Sequence, residues 1–338
     1  MNKQERALSW ALALPVLAAA LCFFILPYLS ALSAPFLGGL RAALRGGVPQ
    51  ALENPALFRT ALFTVKQAAL STLAALALGL PGAWLLGTVL ADGVSPVKRF
   101  FAVLIRALTG IPFAMPPILV VLAFVLFFGN NGWVNRIATA FTGASEGPLR
   151  ILYKPSAVIL AHGFYNFPLV IRLFGDGIAQ ARRAYAPAAA SLGASPFITA
   201  LTVILPVCFP SFMAACLLAF LYSFTSFAVV LVLGGGPGAT TLPVEIYRYA
   251  RITLDFQSAG VLALTETLIA LTVFLAYAFF NRGRKTGGRG AYGDAWAPVS
   301  QDRRGPVQES GRRAFSGYFL MFLYGAAVLF LVLGPLLS

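Results

Sequence analysis

The sequence predicts an all-α, polytopic membrane protein, and three observations carry that expectation. Of its 338 residues, 59% are hydrophobic and 11% are charged, whereas soluble chains carry about a quarter charged residues. The mean hydropathy is strongly positive. Apolar runs long enough to cross a hydrocarbon core alternate with short loops, and such runs cross as helices because lipid offers no partner to an unpaired peptide group. The net charge of +14 is spread over those loops rather than gathered on one face, which argues for membrane orientation and against nucleic-acid binding. Cys22, Cys208 and Cys216 lie in apolar runs without CxxC spacing, so they read as packing residues, not as a disulfide frame or a metal site.

The first span covers about Ser9 to Leu32. Small residues at Ala18 to Ala20 would suit a signal-peptide cleavage site, but the apolar run continues through Leu26, longer than a signal core, which favours an uncleaved helix. The second span lies within Ala61 to Leu90 and carries Lys66, Ser71, Gly79, Pro81 and Gly82, small or helix-bending residues that let backbones approach or kink. In the third, within Phe101 to Phe128, Pro112 and Pro116-Pro117 predict an interrupted helix, tolerable only where a neighbour or a cavity satisfies the freed carbonyls. A turn at Gly129 to Gly132 and a polar connection lead to the fourth span, Ser156 to Phe174, which holds the only histidine, His162. The fifth runs from about Val203 to Leu233 and stops at Gly234-Gly235-Gly236-Pro237-Gly238; the sixth covers Ser258 to Phe280.

Residues 282–314 are rich in Gly, Arg, Asp and Ser and read as a flexible linker, and a last apolar run, Phe315 to Leu337, follows. The expected organisation is therefore a six-helix domain over 1–281, a cytoplasmic linker, and a seventh transmembrane helix over 315–338. Leu21 to Ser30 echoes Val328 to Ser338, which suggests that the last run is the first helix of a truncated second copy. With a cytoplasmic N-terminus, sixteen Lys and Arg residues fall on the cytoplasmic side and eight on the other, so the positive-inside rule favours that orientation.

Tyr185 to Pro206 then lies in the cytoplasm between two apolar spans. Pro187 suits the first position of a short helix, the alanines propagate it, and Gly193 supplies the left-handed residue that stops it. Ser195 caps a second helix starting at Pro196. Two readings remain: an ordinary connection, or a stiff knob for a soluble partner. Ala188-Ala189, Gly193 and Val203-Ile204-Leu205-Pro206 resemble the cytoplasmic signature of binding-protein-dependent ABC importer permeases, with Pro187 where that family usually has Glu. Ile159 to Leu169, Phe224 to Leu231, and Gly234 to Thr241 with Glu245-Ile246-Tyr247 resemble the thiamine-transporter permease branch, to which ferric-iron permeases are close.

The resemblance implies a type I ABC importer permease core in an inner membrane. It implies that Pro187, Ala188, Ala189, Gly193, Val203, Leu205 and Pro206 form the coupling loop for a separate ATPase subunit. It also implies an extracytoplasmic solute-binding protein and a second permease half, either a like chain or a missing C-terminal half. Pro116, His162, Tyr165, Asn166, Tyr222, Phe224 and Phe227 are the candidates for lining the pathway, although a histidine bonded to a neighbouring helix and aromatic residues packing between helices are the commoner readings of such positions. The glycine run Gly234, Gly235, Gly236 and Pro237 lacks the Gly-Lys-Ser/Thr ending of a phosphate-binding loop and reads as an outer loop or a helix stop. Lys66 and Glu266 are intramembrane charges that either pair or, for Lys66, reach to an interface.

No triad, paired carboxylates or metal-ligand spacing supports an autonomous enzyme, and no cofactor is expected. The rivals to a thiamine importer are a ferric-iron permease of the same fold, an ion-coupled secondary transporter resting on Glu266, and an inactive fragment of a fused permease.

Overall fold

Five helices begin on a proline: Pro55, Pro96, Pro117, Pro155 and Pro196. At the first turn a missing N–H costs nothing, because the first four amides have no intrahelical acceptor, and the fixed φ already matches the helix. The computed structural model describes residues 54–91, 96–143, 147–234, 236, 239–282 and 323–327, with isolated positions at 15, 22, 38, 41 and 45. The expected first span, residues 283–314 and most of the final apolar run lie outside the described residues. Among the described residues every regular element is helical.

In chain order these are α1 (Pro55–Ala91), α2 (Pro96–Ala114), α3 (Pro117–Phe128), α4 (Trp133–Thr142), α5 (Pro155–Ser191), α6 (Pro196–Thr199), α7 (Leu205–Phe224), α8 (Ala228–Leu233), α9 (Leu242–Tyr247) and α10 (Phe256–Arg282). Wide π-helical turns cover Ala200–Ile204 and Arg248–Ile252. Among the described residues, five runs are long and apolar enough to cross a membrane: Pro55–Ala91, Pro117–Thr142, Pro155–Ser191, Pro196–Phe224 and Phe256–Asn281. The shorter apolar helix Phe100–Ala114 accompanies them.

The chain divides into two compact units. The larger contains residues 62–241 and 269–338, and α5 is its axis. In α5, 72% of the most apolar stretch is buried, against 22–33% in the other four spans. Close approach to α1 requires small residues on both helices. A Cβ on Gly163 would come within 2.7 Å of the Ala74 Cβ, and one on Gly79 within 2.6 Å of the Val170 Cβ. In lipid, where apolar side chains gain little by leaving their solvent, such close packing is a main source of helix association. Further along α5, Phe174, Ile178 and Ala181 pack with Ala83, Ile204 and Cys208.

The third span is interrupted, as its prolines predict: α2 ends at Ala114 and α3 starts at Pro117. The carbonyl of Met115 at the break accepts a 3.4 Å bond from the Tyr165 hydroxyl on α5, so a neighbouring helix supplies the partner that lipid cannot. The expected fifth span also divides. Thr225 turns both its amide (3.0 Å) and its hydroxyl (2.9 Å) onto the Leu221 carbonyl, and regular helix resumes only at Ala228.

The smaller unit contains residues 1–61 and 242–268. In it, Asn54 accepts from the Ala56 amide at 3.0 Å, and Asp255 precedes α10, accepting from the Ser258 amide (3.1 Å) and hydroxyl (2.6 Å). These bonds hold the Asp255 carboxyl below its ordinary pKa, the Ser258 hydroxyl contributing most. Exposed Arg248 pairs with buried Glu245 at 2.7 Å.

Candidate functional site

The stretch 185–206 forms a sharp, exposed turn at the end of the axial helix. The amide of Ala194 bonds to the Ala189 carbonyl at 3.0 Å, and that of Gly193 to the Ala190 carbonyl, also at 3.0 Å. With Gly193 at φ +78°, this is the paired six-to-one and five-to-two closure of a Schellman motif, which uses up carbonyls left over at the end of a helix. Ser195 then caps the next helix, its Oγ accepting from the Ile198 amide at 3.3 Å, with Pro196 in first position.

One expectation is corrected. Pro187 does not start a helix; it sits inside α5, which runs unbroken from Pro155 to Ser191. Residues before Pro187 are already helical, and at an exposed position near the end of the helix the missing amide bond is easily borne. Pro187 and Ala188 are exposed and Ala189 is half-buried. Around the turn, Leu192 is 87% exposed and Phe197 73%. Val203 falls in the wide turn, and Leu205 and Pro206 open α7. The Leu205 amide reaches back to the Ala200 carbonyl.

The pathway candidates separate into two environments in the larger unit. Phe113, Tyr165 and Tyr222 gather beside the broken third span, with Phe113 ring centroids 6.0 Å from Tyr165 and 5.9 Å from Tyr222. Pro116 and Tyr222 are exposed and Tyr165 is half-buried, so this cluster reaches a surface. By contrast His162, Asn166 and Phe224 are buried. His162 Nδ1 lies 2.6 Å from Gln67 Nε2, which also donates to Ser71 Oγ at 2.9 Å. This contact ties α1 to α5 through a buried glutamine–histidine pair. Asn166 Nδ2 donates to Ser223 Oγ at 2.9 Å, and Ser223 in turn donates to the Ala219 carbonyl at 2.8 Å. Phe224 stacks on Phe220 at 5.6 Å. Phe227 is half-buried in the gap before α8.

Gln67, Ser71, Phe113 and Ser223 escape a reading by motif. Gln67 and Ser71 carried a usable signal, being polar residues one turn apart inside an apolar run. Lys66 is exposed on α1 and Glu266 half-buried on α10, in separate units. Gly234 is buried and stops α8, its amide bonding to the Val230 carbonyl at 2.8 Å; Gly236 has φ +117°. Gly235 and Pro237 lie outside the described residues.

Residues 83–286 match the family described as the binding-protein-dependent transport system inner membrane component. The chain belongs to this family. The match takes in α5, the exposed turn and the following spans, and identifies a multi-pass inner-membrane permease component. Among relatives of this permease, the thiamine transport system permease protein ThiP of Brucella suis biovar 1 (strain 1330) is 32% identical over 228 residues, covering 68% of this chain and 40% of the relative. The ThiP of Haemophilus influenzae is 30% identical over 184 residues, 53% of this chain and 33% of that one. The putative 2-aminoethylphosphonate transport system permease protein PhnU of Salmonella typhi is 32% identical over 164 residues, 48% of this chain and 56% of the relative. The permease thus spans well under half the length of the thiamine permeases it matches.

Two solved structures share the fold. A chain of a bacterial alginate ABC transporter, in complex with alginate pentasaccharide-bound periplasmic protein, superposes with a TM-score of 0.65 at 16% identity, over 84% of this chain and 97% of that one. A chain of the MetNI methionine ABC transporter in an inward-facing conformation gives 0.52 at 18% identity, over 67% and 94%.

Proposed function

We propose that this permease supplies one half of the translocation pathway of an ATP-driven importer and carries thiamine or its phosphates. The observation behind the coupling role is the exposed turn at the end of α5. Two large apolar side chains, Leu192 and Phe197, stand in the open on a backbone fixed by a Schellman motif and a serine cap, a form suited to a groove on a separate ATPase subunit. Pro187 in place of an acidic residue makes that contact apolar in character. The N-terminus and this turn face the cytoplasm, in keeping with the excess of Lys and Arg there.

The thiamine reading is supported by relatives that share 32% identity over 228 residues and by the chemistry of the surface-reaching cluster. Phe113, Tyr165 and Tyr222 form an aromatic cluster of the kind that suits a flat, cationic heterocycle, for which cation–π attraction supplies about 0.5–2 kcal/mol. The Salmonella relative favours a second reading, a small phosphonate. A solute-binding protein delivers the solute to the outer loops, and a second permease half completes the pathway, whose two sides open in alternation.

The test is uptake by vesicles holding the permease, a candidate ATPase subunit and a candidate solute-binding protein. Thiamine uptake that requires ATP and the binding protein, and that Leu192→Asp abolishes without loss of membrane insertion, is the expected result. Uptake driven by an ion gradient without ATPase sinks the reading, and preference for ferric iron or 2-aminoethylphosphonate over thiamine sinks its substrate.

A further inference from the structure

Helix α4 is built inside out. Trp133, Arg136, Ile137, Ala140 and Phe141 are all exposed, a spacing of i, i+3, i+4, i+7 and i+8 that puts them on one face of a helix. That face would normally be the buried one. Here Trp133 is 52% exposed, Ile137 42% and Phe141 87%.

The orientation is fixed by the opposite face. Asn135 is buried and makes three bonds to the loops on either side of α4. Its Nδ2 donates to the carbonyls of Gly129 and Leu149, and its Oδ1 accepts from the Leu149 amide, each at 2.9 Å. Gly147 closes on the same side chain, since a Cβ there would lie 2.7 Å from the Asn135 Cγ. Rotating α4 to hide its apolar stripe would therefore leave a buried amide without partners, at a cost of about 1–3 kcal/mol for each group stranded.

We infer that α4 lies flat in the headgroup region of the bilayer, with Trp133, Ile137 and Phe141 inserted toward the acyl chains. Three observations select a lipid surface as the occupant. The preceding helix α3 also exposes an uncharged apolar stripe, Ile118, Leu122 and Leu126. The two threonines of α4 turn their hydroxyls onto their own helix, Thr139 to the Arg136 carbonyl and Thr142 to the Ala138 carbonyl, both at 2.8 Å, so neither offers a free donor to a protein partner. Arg136 holds its Nε on the Asn131 carbonyl at 2.9 Å, and among the described residues the end of its guanidinium has no other partner, so it can meet a phosphate at the level where Trp also partitions. At ten residues the helix is about 15 Å long, half the thickness of a hydrocarbon core. The turn at Gly129 to Gly132 breaks the run Pro117–Thr142 in two, so α4 by itself is too short to cross and is suited to lie in the interface.

The test is depth-resolved quenching of Trp133 fluorescence in the full chain, reconstituted in phosphatidylcholine vesicles. With Trp10→Phe, Trp84→Phe and Trp296→Phe in place, bromines near the headgroup end of the acyl chain should quench Trp133 more than bromines near the chain terminus, and aqueous acrylamide should quench it weakly. Trp133→Phe with Phe141→Trp in the same background should give the same pattern. Strong acrylamide quenching without lipid quenching, meaning a stripe in water, overturns the inference. So does protection from both quenchers, which means cover by a second permease half or a binding protein. Because three replacements can impair folding, the natural chain is also compared with Trp133→Phe alone. The fraction of emission quenched by shallow bromines should fall, and an unchanged fraction overturns the inference.

Discussion

At the scale of single residues, Gly193 and the Gln67–His162 pair carry different kinds of constraint. Nothing lies within 4 Å of where a Gly193 Cβ would stand, so the constraint there is its positive φ alone. Gly193→Ala should lower stability by about 1–2 kcal/mol, read as a shift in thermal unfolding of the purified protein. Gly193→Asn, which tolerates that conformation, should shift it less. If the turn also packs closely against an ATPase, the asparagine variant keeps the fold and loses ATPase association, which separates shape from contact. Gln67 and His162 are constrained by each other. Gln67→Leu or His162→Leu alone strands a buried polar partner and should cost about 1–3 kcal/mol. The double substitution should cost less than the sum, and a thermal-unfolding cycle that comes out additive would remove the bond from the account. The histidine stands out in the sequence as the only one. That Gln67 is its partner does not, because their 95-residue separation leaves no trace in local spacing.

Among the elements, helix ends were more legible than helix interiors. The start at Pro196, the Gly193 stop and the Ser195 cap follow from backbone chemistry that acts within a few residues, and each is found where local rules put it. Pro187 shows the limit of those rules. Its missing amide fits a helix start equally well, and only the helix already running from Pro155 decides otherwise. The division of the fifth span was equally hidden, since it depends on how Thr225 uses a carbonyl one turn back. The start of α10 offers a test in which charge and capping act together. The bonds from Ser258 hold the Asp255 carboxyl below its ordinary pKa, so its folded form favours the carboxylate. This contribution is present above the unfolded pKa and is lost as pH falls through the lower folded value. Asp255→Ala should destabilise by about 1 kcal/mol at neutral pH. The difference from the natural chain should shrink as the solution is acidified below the carboxylate range, read by unfolding across pH.

For the whole molecule, composition alone was enough for the class, because a chain this apolar must satisfy its backbone within helices. Membership of the permease family rests on a loop signature and on residues 83–286. Which side chains meet across the bundle was not legible, since the α1–α5 contact depends on glycines whose role appears only when a second helix faces them. The axial position of α5 supports one further expectation. If the permease couples to an ATPase as proposed, two glycines inserted between Gly177 and Tyr185 should leave ATP hydrolysis by the assembled transporter largely intact and reduce solute uptake by more than tenfold. Uptake that survives the insertion would mean that α5 does not carry the motion. The reason lies in the gearing of a single rod. From Tyr165 beside the broken span to Ser191 at the exposed turn is 26 residues of one helix, about 39 Å, so a tilt of about 5° pivoting at one end sweeps the other through about 3 Å. A displacement of that size is roughly the width of a water molecule, and Pro168 and Pro187, both inside the helix, are the places where a bend would change it.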